Sequence, residues 1–238
     1  MEDAFASLIA QGEEIIAAGK PRTPFSALRY REPAPRVECR LEDCPRTSAP
    51  ASPSAAMRAA YAGLLHELRR FAPASVLFSS IDPGQGTSFT AANLATLWAR
   101  DTTAENPEEK VLLLEMYCGP RENDTVIDVD GDIFRDAQTL EKYLCSTPNP
   151  GLYRLTAAAG NAALDGMAGL WKRLDATFTR IFIDASPAGY NPLFPWLAAR
   201  ANGTALVARK APDAKAVKKF ADNLIAAGGR FMGVIFNA

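Results

Sequence analysis

The stretch VLFSSIDPGQGTSFTAANLA, residues 76–95, decides the predicted fold. It combines a buried strand, a turn with two glycines and the start of a helix. Gly84 and Gly86 allow backbone N–H groups to converge on an anion, and the following helix adds the positive end of its dipole. This is the architecture of a phosphate-binding loop. Such a loop normally carries a lysine before its Ser/Thr; here Thr87 takes that position, and Ser88 keeps the hydroxyl.

Short apolar runs alternate with helical patterns over the rest of the chain from residue 55 onward. This alternation predicts an α/β fold with a doubly wound, mainly parallel sheet covered by helices on both faces. Such sheets bind ligands at the carboxyl ends of their strands, so function is expected in the turns after residues 80, 116 and 186. The predicted strands are 74–80, 110–116, 151–160, 180–186, 203–210 and 230–237, and the predicted helices are 55–71, 89–100, 136–145, 163–178 and 214–229.

The chain divides into two predicted regions, 1–54 and 55–238. Residues 2–18 have the apolar spacing of a short amphipathic helix, and residues 20–54 form a proline-rich linker with little periodicity. The N-terminal helix either docks on a partner or packs on its own domain, and the sequence leaves both open. Pro192 and Pro195 predict an irregular loop after the strand that ends at residue 186.

The composition excludes several classes of function. The 238 residues carry 26 Lys and Arg against 27 Asp and Glu, a net charge of −1, which gives no long-range attraction to nucleic acid or to an anionic membrane. No long uncharged apolar run predicts membrane insertion, and acids near the N-terminus argue against a secretory signal, so a cytoplasmic location is expected. The four cysteines predict reduced thiols, and His66, the single histidine, argues against a catalytic triad.

Several motifs, in order along residues 55–238, resemble the cytoplasmic domains of bacterial tyrosine kinases of the capsular exopolysaccharide type. Their loop is P-G-E-G-K-[ST] followed by T-x-A-x-N-L-A, which PGQGTS (83–88) and TAANLA (90–95) resemble. IFIDASP (181–187) is similar to their Walker B strand, and VLLLEMYCGP (111–120) to their V-L-L-I-D-x-D-x-R motif. The resemblance implies a P-loop NTPase-like domain of the MinD/ParA-like deviant Walker group, with a sheet of the MinD/ParA type.

The resemblance also implies roles for individual residues. In the family, the loop lysine and two acids hold ATP and Mg²⁺ and position the attacking tyrosine. Here Thr87 replaces the lysine, while Glu115 and Tyr117 replace the two aspartates of the second acidic motif. Asp184 keeps the Walker B acid. The nucleotide-binding candidates are Gly84, Gln85, Gly86, Thr87, Ser88 and Asn237, and the Mg²⁺ candidates are Ser88 and Asp184.

These departures predict a catalytically degenerate scaffold or regulator of exopolysaccharide biosynthesis or export. It would require no cofactor and would bind ATP or ADP with Mg²⁺ weakly, if at all. The expected partner is an inner-membrane polysaccharide co-polymerase or another exopolysaccharide-assembly protein, which would also bring the chain to the membrane. The family's ring-forming E-x-x-R-x-x-R helix corresponds to Ala55, Arg58 and Tyr61, so a homo-oligomer is left open.

Two alternatives remain at the level of the sequence. The chain is an active ATPase or protein-tyrosine kinase if it recruits a lysine from elsewhere, with Lys110, Lys210 and Lys215 as candidates. It is otherwise a MinD/ParA-like positioning factor unrelated to polysaccharide.

Overall fold

The structure is a computed structural model, and it describes the part of the chain that carries the predicted α/β domain. The predicted N-terminal helix 2–18, the linker 20–54, the boundary at residue 54 and Asn237 lie outside the described residues. The described residues are 55–71, 74–118, 126–128, 140, 143–159, 164–185, 187–209 and 211–236.

Strands and helices alternate along the described residues, as predicted. The helices are α1 (Ala55–Phe71), α2 (Thr87–Glu105), α3 (Leu164–Thr177), α4 (Phe194–Arg200) and α5 (Ala214–Ala226). The strands are β1 (Ser75–Ser79), β2 (Val111–Cys118), β3 (Val126–Asp128), β4 (Cys145–Ser146), β5 (Leu152–Ala159), β6 (Arg180–Ala185), β7 (Gly203–Ala208) and β8 (Phe231–Phe236).

The strands form one sheet in the order β3-β5-β2-β6-β1-β7-β8. All neighbours in this order are parallel, and among the described strands only β4 pairs antiparallel, with β5. The chain passes from β1 beyond β6 to β2 in one direction along the sheet. It passes from β6 beyond β1 to β7 in the opposite direction. The doubly wound fold is confirmed, and the crevice at the carboxyl end of β1 is where such folds bind ligands.

Two apolar layers sandwich the sheet. On one face, Phe78 and Phe182 pack with Leu94 and Trp98 of α2 and with Leu68 of α1. The opposite face packs against α3, α4 and α5. Both faces of the central strands are therefore covered, which explains why β1 and β7 are buried along their whole length.

The structure corrects three expectations. The helix predicted over 136–145 does not extend to its last residue, because Cys145 and Ser146 form β4. The segment between β2 and that helix, where the sequence predicts no strand, contains β3. The irregular loop predicted around Pro192 and Pro195 includes α4, with a proline in its first turn, where the missing N–H breaks no helical bond. No helix within the described part of the chain has the length and apolarity to cross a membrane.

Candidate functional site

The loop between β1 and α2 has the backbone of a phosphate-binding turn. Gly84 and Gly86 adopt left-handed conformations, with φ of 76° and 84°, which only glycine adopts without strain. Gly86 caps α2 without a side chain, and its carbonyl oxygen accepts the first helical bond from the Thr90 N–H at 2.9 Å. The first N–H groups of α2 therefore face the turn and are suited to an anion.

Thr87 and Ser88 both lie in the first turn of α2. Thr87 is buried, with 9% of its surface exposed, whereas Ser88 is exposed. The cationic group that a phosphate loop needs is replaced by a hydroxyl at the predicted position. Asp82, in the same loop, is exposed and adds a negative charge beside the turn.

The side chain of Gln85 connects the loop to the neighbouring strand. Its Oε1 accepts a hydrogen bond from the backbone N–H of Arg209 at 2.8 Å. This bond joins the loop to the carboxyl end of β7, so the side chain contacts protein at the position predicted for nucleotide binding.

A cleft of about 530 Å³ lies beside this bond, a volume within the range of small-ligand sites. It runs between the loop, the end of β7 and the start of α5. Asp213 lines it and also caps α5, since its carboxylate accepts from the Lys215 N–H at 3.3 Å. The lining residues are Ile81, Asp82, Gly84, Gln85, Leu206, Val207, Ala208, Arg209, Ala211, Pro212, Asp213 and Ala216.

The two predicted acids, Glu115 and Asp184, lie side by side at the same edge of the sheet. They are register partners on β2 and β6, and they are 7% and 4% exposed. Because side chains alternate along a strand, both point to the face that packs against α2. The structure therefore places the loop and both acids at the carboxyl ends of neighbouring strands.

Glu115 makes contacts that the sequence did not predict. Its Oε2 accepts from Nε of Arg154 at 2.9 Å, and Nη2 of Arg154 lies 2.7 Å from the same oxygen. Oγ1 of Thr156 donates to this oxygen as well, at 2.9 Å. The alternation of residues 152–159 places Arg154 and Thr156 on one face, but only the pairing of β5 with β2 shows that this face carries Glu115.

The remaining predicted residues are only partly described. The backbone of Tyr117 lies in β2, and its side chain, like Asn237 and Lys210, lies outside the described residues. Lys110 precedes β2, at the opposite end of the sheet from the loop, roughly 16 Å along the strand from Glu115. The hypothesis that Lys110 supplies the missing lysine within one chain is therefore wrong. Lys215 is exposed in the first turn of α5, next to the cleft.

These residues do not fit a triphosphate with Mg²⁺. The backbone cradle is present, but Thr87 stands at the loop position of the lysine, and one of the two acids is paired with an arginine. Among the described residues, no group of three or more His, Cys, Asp and Glu side chains is placed to hold a metal ion.

Cys145 lies next to the ion pair, since its register partner on β5 is Arg154. Its thiol is buried and free, and Sγ contacts the carbonyl oxygen of Tyr143 at 3.8 Å. Burial raises the pKa of the Cys145 thiol; the charge of Arg154 opposes this rise and that of Glu115 adds to it.

We expect Cys145 to alkylate slowly in the native protein. The thiolate is the reactive form, and a raised pKa keeps the group protonated at neutral pH, so the rate should increase as pH rises toward that pKa. Labelling with iodoacetamide, resolved by peptide mass spectrometry, should be at least about tenfold slower than in urea. Equal rates in the native and unfolded protein would contradict the buried position.

Solved structures with this fold include several bacterial tyrosine kinase domains. The kinase domain of VpsO is similar with a TM-score of 0.59 at 21% identity, over 75% of this chain and 92% of that chain. The BceF tyrosine kinase domain gives a TM-score of 0.51 at 20% identity, over 74% of each chain. The kinase domain of the Escherichia coli tyrosine kinase ETK gives 0.50 at 16% identity, over 76% of this chain and 73% of that chain.

These similarities show that the chain has the α/β fold of bacterial tyrosine kinase domains. No protein-family model matches the sequence, and no curated protein is similar to it in sequence.

Proposed function

We propose that the chain is a catalytically degenerate relative of the bacterial tyrosine kinases, within the MinD/ParA-like deviant Walker group, and acts as a scaffold or regulator of exopolysaccharide biosynthesis or export. The observation that carries this proposal is that two positions of the site depart from the kinase motifs while the fold is of the kinase type. Thr87 stands in place of the loop lysine, and Glu115 is bound to Arg154.

The chemistry of phosphoryl transfer supports a non-catalytic role. This reaction depends almost entirely on positioned charge, with little covalent chemistry left to the protein. A charge-assisted contact to phosphate contributes about 1.5–3 kcal/mol in ordinary sites. In the proposed role the chain therefore requires neither nucleotide nor Mg²⁺, and any ATP or ADP binds weakly.

The edge of the sheet that holds the site also exposes aromatic side chains. Phe89, next to the loop, is 51% exposed, and Tyr190, after β6, is 64% exposed. The N–H of Ala188 donates to the carbonyl oxygen of Ser80 at 3.0 Å, which joins the segment of Tyr190 to the loop. Aromatic residues are enriched in protein interfaces. This edge is the proposed contact with an exopolysaccharide-assembly protein, such as an inner-membrane polysaccharide co-polymerase, on the cytoplasmic side.

In the organism that encodes this chain, deletion of its gene should reduce exopolysaccharide, and the wild-type chain should restore it. Ser88→Ala and Asp184→Asn should restore polymer to the wild-type level, because the proposed role needs no metal or nucleotide. Phe89→Ser combined with Tyr190→Ser should restore much less, because it removes the proposed contact. The measurement is the amount of polymer per cell.

Each variant must first be shown to accumulate and to keep a cooperative thermal transition. Arg100→Ser, on an exposed part of α2, is the matched surface control and should complement fully. Loss of polymer with folded Ser88→Ala or Asp184→Asn would contradict the non-catalytic role. Normal polymer after gene deletion would contradict the link to exopolysaccharide.

A further inference from the structure

The ion pair between Arg154 and Glu115 joins a partly exposed guanidinium to a buried carboxylate. Two nitrogens of the guanidinium and the hydroxyl of Thr156 all lie within 3 Å of one oxygen of Glu115, at 2.9, 2.7 and 2.9 Å. The side chain of Glu115 is 9% exposed, and that of Arg154 is 37% exposed. The carboxylate is therefore buried and bound by three donor atoms, while part of the guanidinium remains in contact with solvent.

The surroundings of this pair carry a second buried carboxylate. Asp184 is the register partner of Glu115 on the neighbouring parallel strand, where backbones lie about 4.8 Å apart. Both acids point to the α2 face, so the two carboxyl groups are held close together in a region shielded from water. Like charges in such a region repel strongly, and a nearby cation offsets that repulsion.

We propose that Arg154 supplies, from within the chain, the positive charge that a divalent cation would otherwise bring to Glu115. The inference rests on the proposed non-catalytic function and deepens it, because it states how the acidic half of the site remains stable without metal. Arg154 is a positioning residue: it binds Glu115 and turns that carboxylate toward β5.

The length of the acidic side chain fits this role. Glutamate has one methylene more than the aspartate of the resembling motif. The register partner of Glu115 is Thr156, and Arg154 lies two residues before it on β5. The extra length of the side chain carries the carboxylate to the guanidinium of Arg154. The planar guanidinium offers donors in a fixed geometry to a carboxylate, and Thr156 adds a third bond. The oxygen that receives all three contacts is thereby occupied by protein groups.

The proposal makes the stability of the wild-type domain independent of Mg²⁺ and makes that of Arg154→Gln dependent on it. Thermal midpoints are measured in EDTA, in millimolar MgCl₂ and in NaCl of matched ionic strength. The wild-type midpoint should be the same in MgCl₂ and NaCl. Arg154→Gln should lower the midpoint by about 4–8 °C in EDTA, and MgCl₂ should recover part of this loss where NaCl does not.

Two further variants separate charge from packing. Glu115→Gln combined with Arg154→Gln should regain most of the midpoint and lose the response to Mg²⁺, because the uncompensated carboxylate is gone. Arg69→Gln removes an exposed ion pair of similar length, 2.8 Å to Asp101, and should shift the midpoint little, with no response to Mg²⁺. If Arg154→Gln does not fold in EDTA, recovery of its circular dichroism by MgCl₂ supports the proposal, and no recovery contradicts it.

Other outcomes overturn the proposal. If MgCl₂ raises the wild-type midpoint and Glu115→Gln abolishes this increase, the acids hold metal beside Arg154. A midpoint of Arg154→Gln that falls without any response to Mg²⁺ would show that Arg154 contributes packing alone, and an unchanged midpoint would show that the pair contributes nothing. These results concern metal dependence only, so they are distinct from a failure of the polymer assay, which tests the proposed function.

Discussion

Phe182→Ala should destabilise the domain by about 3–5 kcal/mol, the usual cost of removing a buried phenylalanine from a core. Phe182 is 2% exposed on β6 and stacks on Phe78, with ring centroids 6.0 Å apart and planes 7° from parallel. The indole of Trp98 contacts it from α2, at 5.9 Å and 60°. The substitution removes both ring contacts and leaves a cavity between the sheet and α2.

Urea denaturation of the purified domain measures this change as a lower midpoint with an unchanged slope. Phe89→Ala is the matched control, because Phe89 is 51% exposed and its loss should change the free energy of unfolding by no more than about 0.5 kcal/mol. A loss below about 1 kcal/mol for Phe182→Ala would contradict the described packing of α2 on the sheet.

The elements that the sequence predicted well are those whose pattern is local. β1, β2 and β6 are apolar runs of the length expected for strands buried on both faces, and α2 follows from the glycine turn and an uninterrupted helical segment. β3 and β4 have only 3 and 2 residues, too few for a pattern of alternation to be recognised. The sequence does not predict α4, because a proline such as Pro195 usually interrupts a helix, although proline is tolerated in the first turn.

The candidate site also contains one part that local sequence predicts and one part that only strand pairing brings together. The substitution at Thr87 could be predicted because the residues of the loop are contiguous and their spacing is fixed by the turn. The ion pair of Glu115 could not, because the two residues are 39 positions apart and meet only through the register of β2 and β5. Parallel pairing places Thr156 opposite Glu115, and the alternation along β5 then brings Arg154 to the same face.

Two internal contacts therefore lie where the resemblance places ligands. Gln85 joins the loop to β7 through the N–H of Arg209, and Arg154 binds Glu115. The first contact is neutral and is made to a single backbone group, whereas the second involves a buried charge. The loop is thus the half of the site that a single substitution can change at the lower energetic cost.

Thr87→Lys should increase the affinity for ATP by roughly tenfold to a hundredfold. The new ammonium group would stand at the start of α2, where the glycine turn and the first N–H groups of the helix already suit an anion. A charge-assisted contact of about 1.5–3 kcal/mol corresponds to this range of affinity. Thr87 is 9% exposed, so the apolar stem of the lysine would remain at the buried site while its charged end reaches the loop.

The increase should be the same in EDTA and in MgCl₂, because Arg154 holds Glu115 whether or not metal is present. Isothermal titration of ATP into the wild type, Thr87→Lys and Thr87→Met measures it, with methionine matching the length of the side chain but not its charge. An equal gain with methionine would show that the charge is not responsible. No gain with lysine would contradict the assignment of residues 80–86 as a phosphate-binding turn. A gain that requires Mg²⁺ would show that the nucleotide binds with metal at this site, as expected for the candidates Ser88 and Asp184.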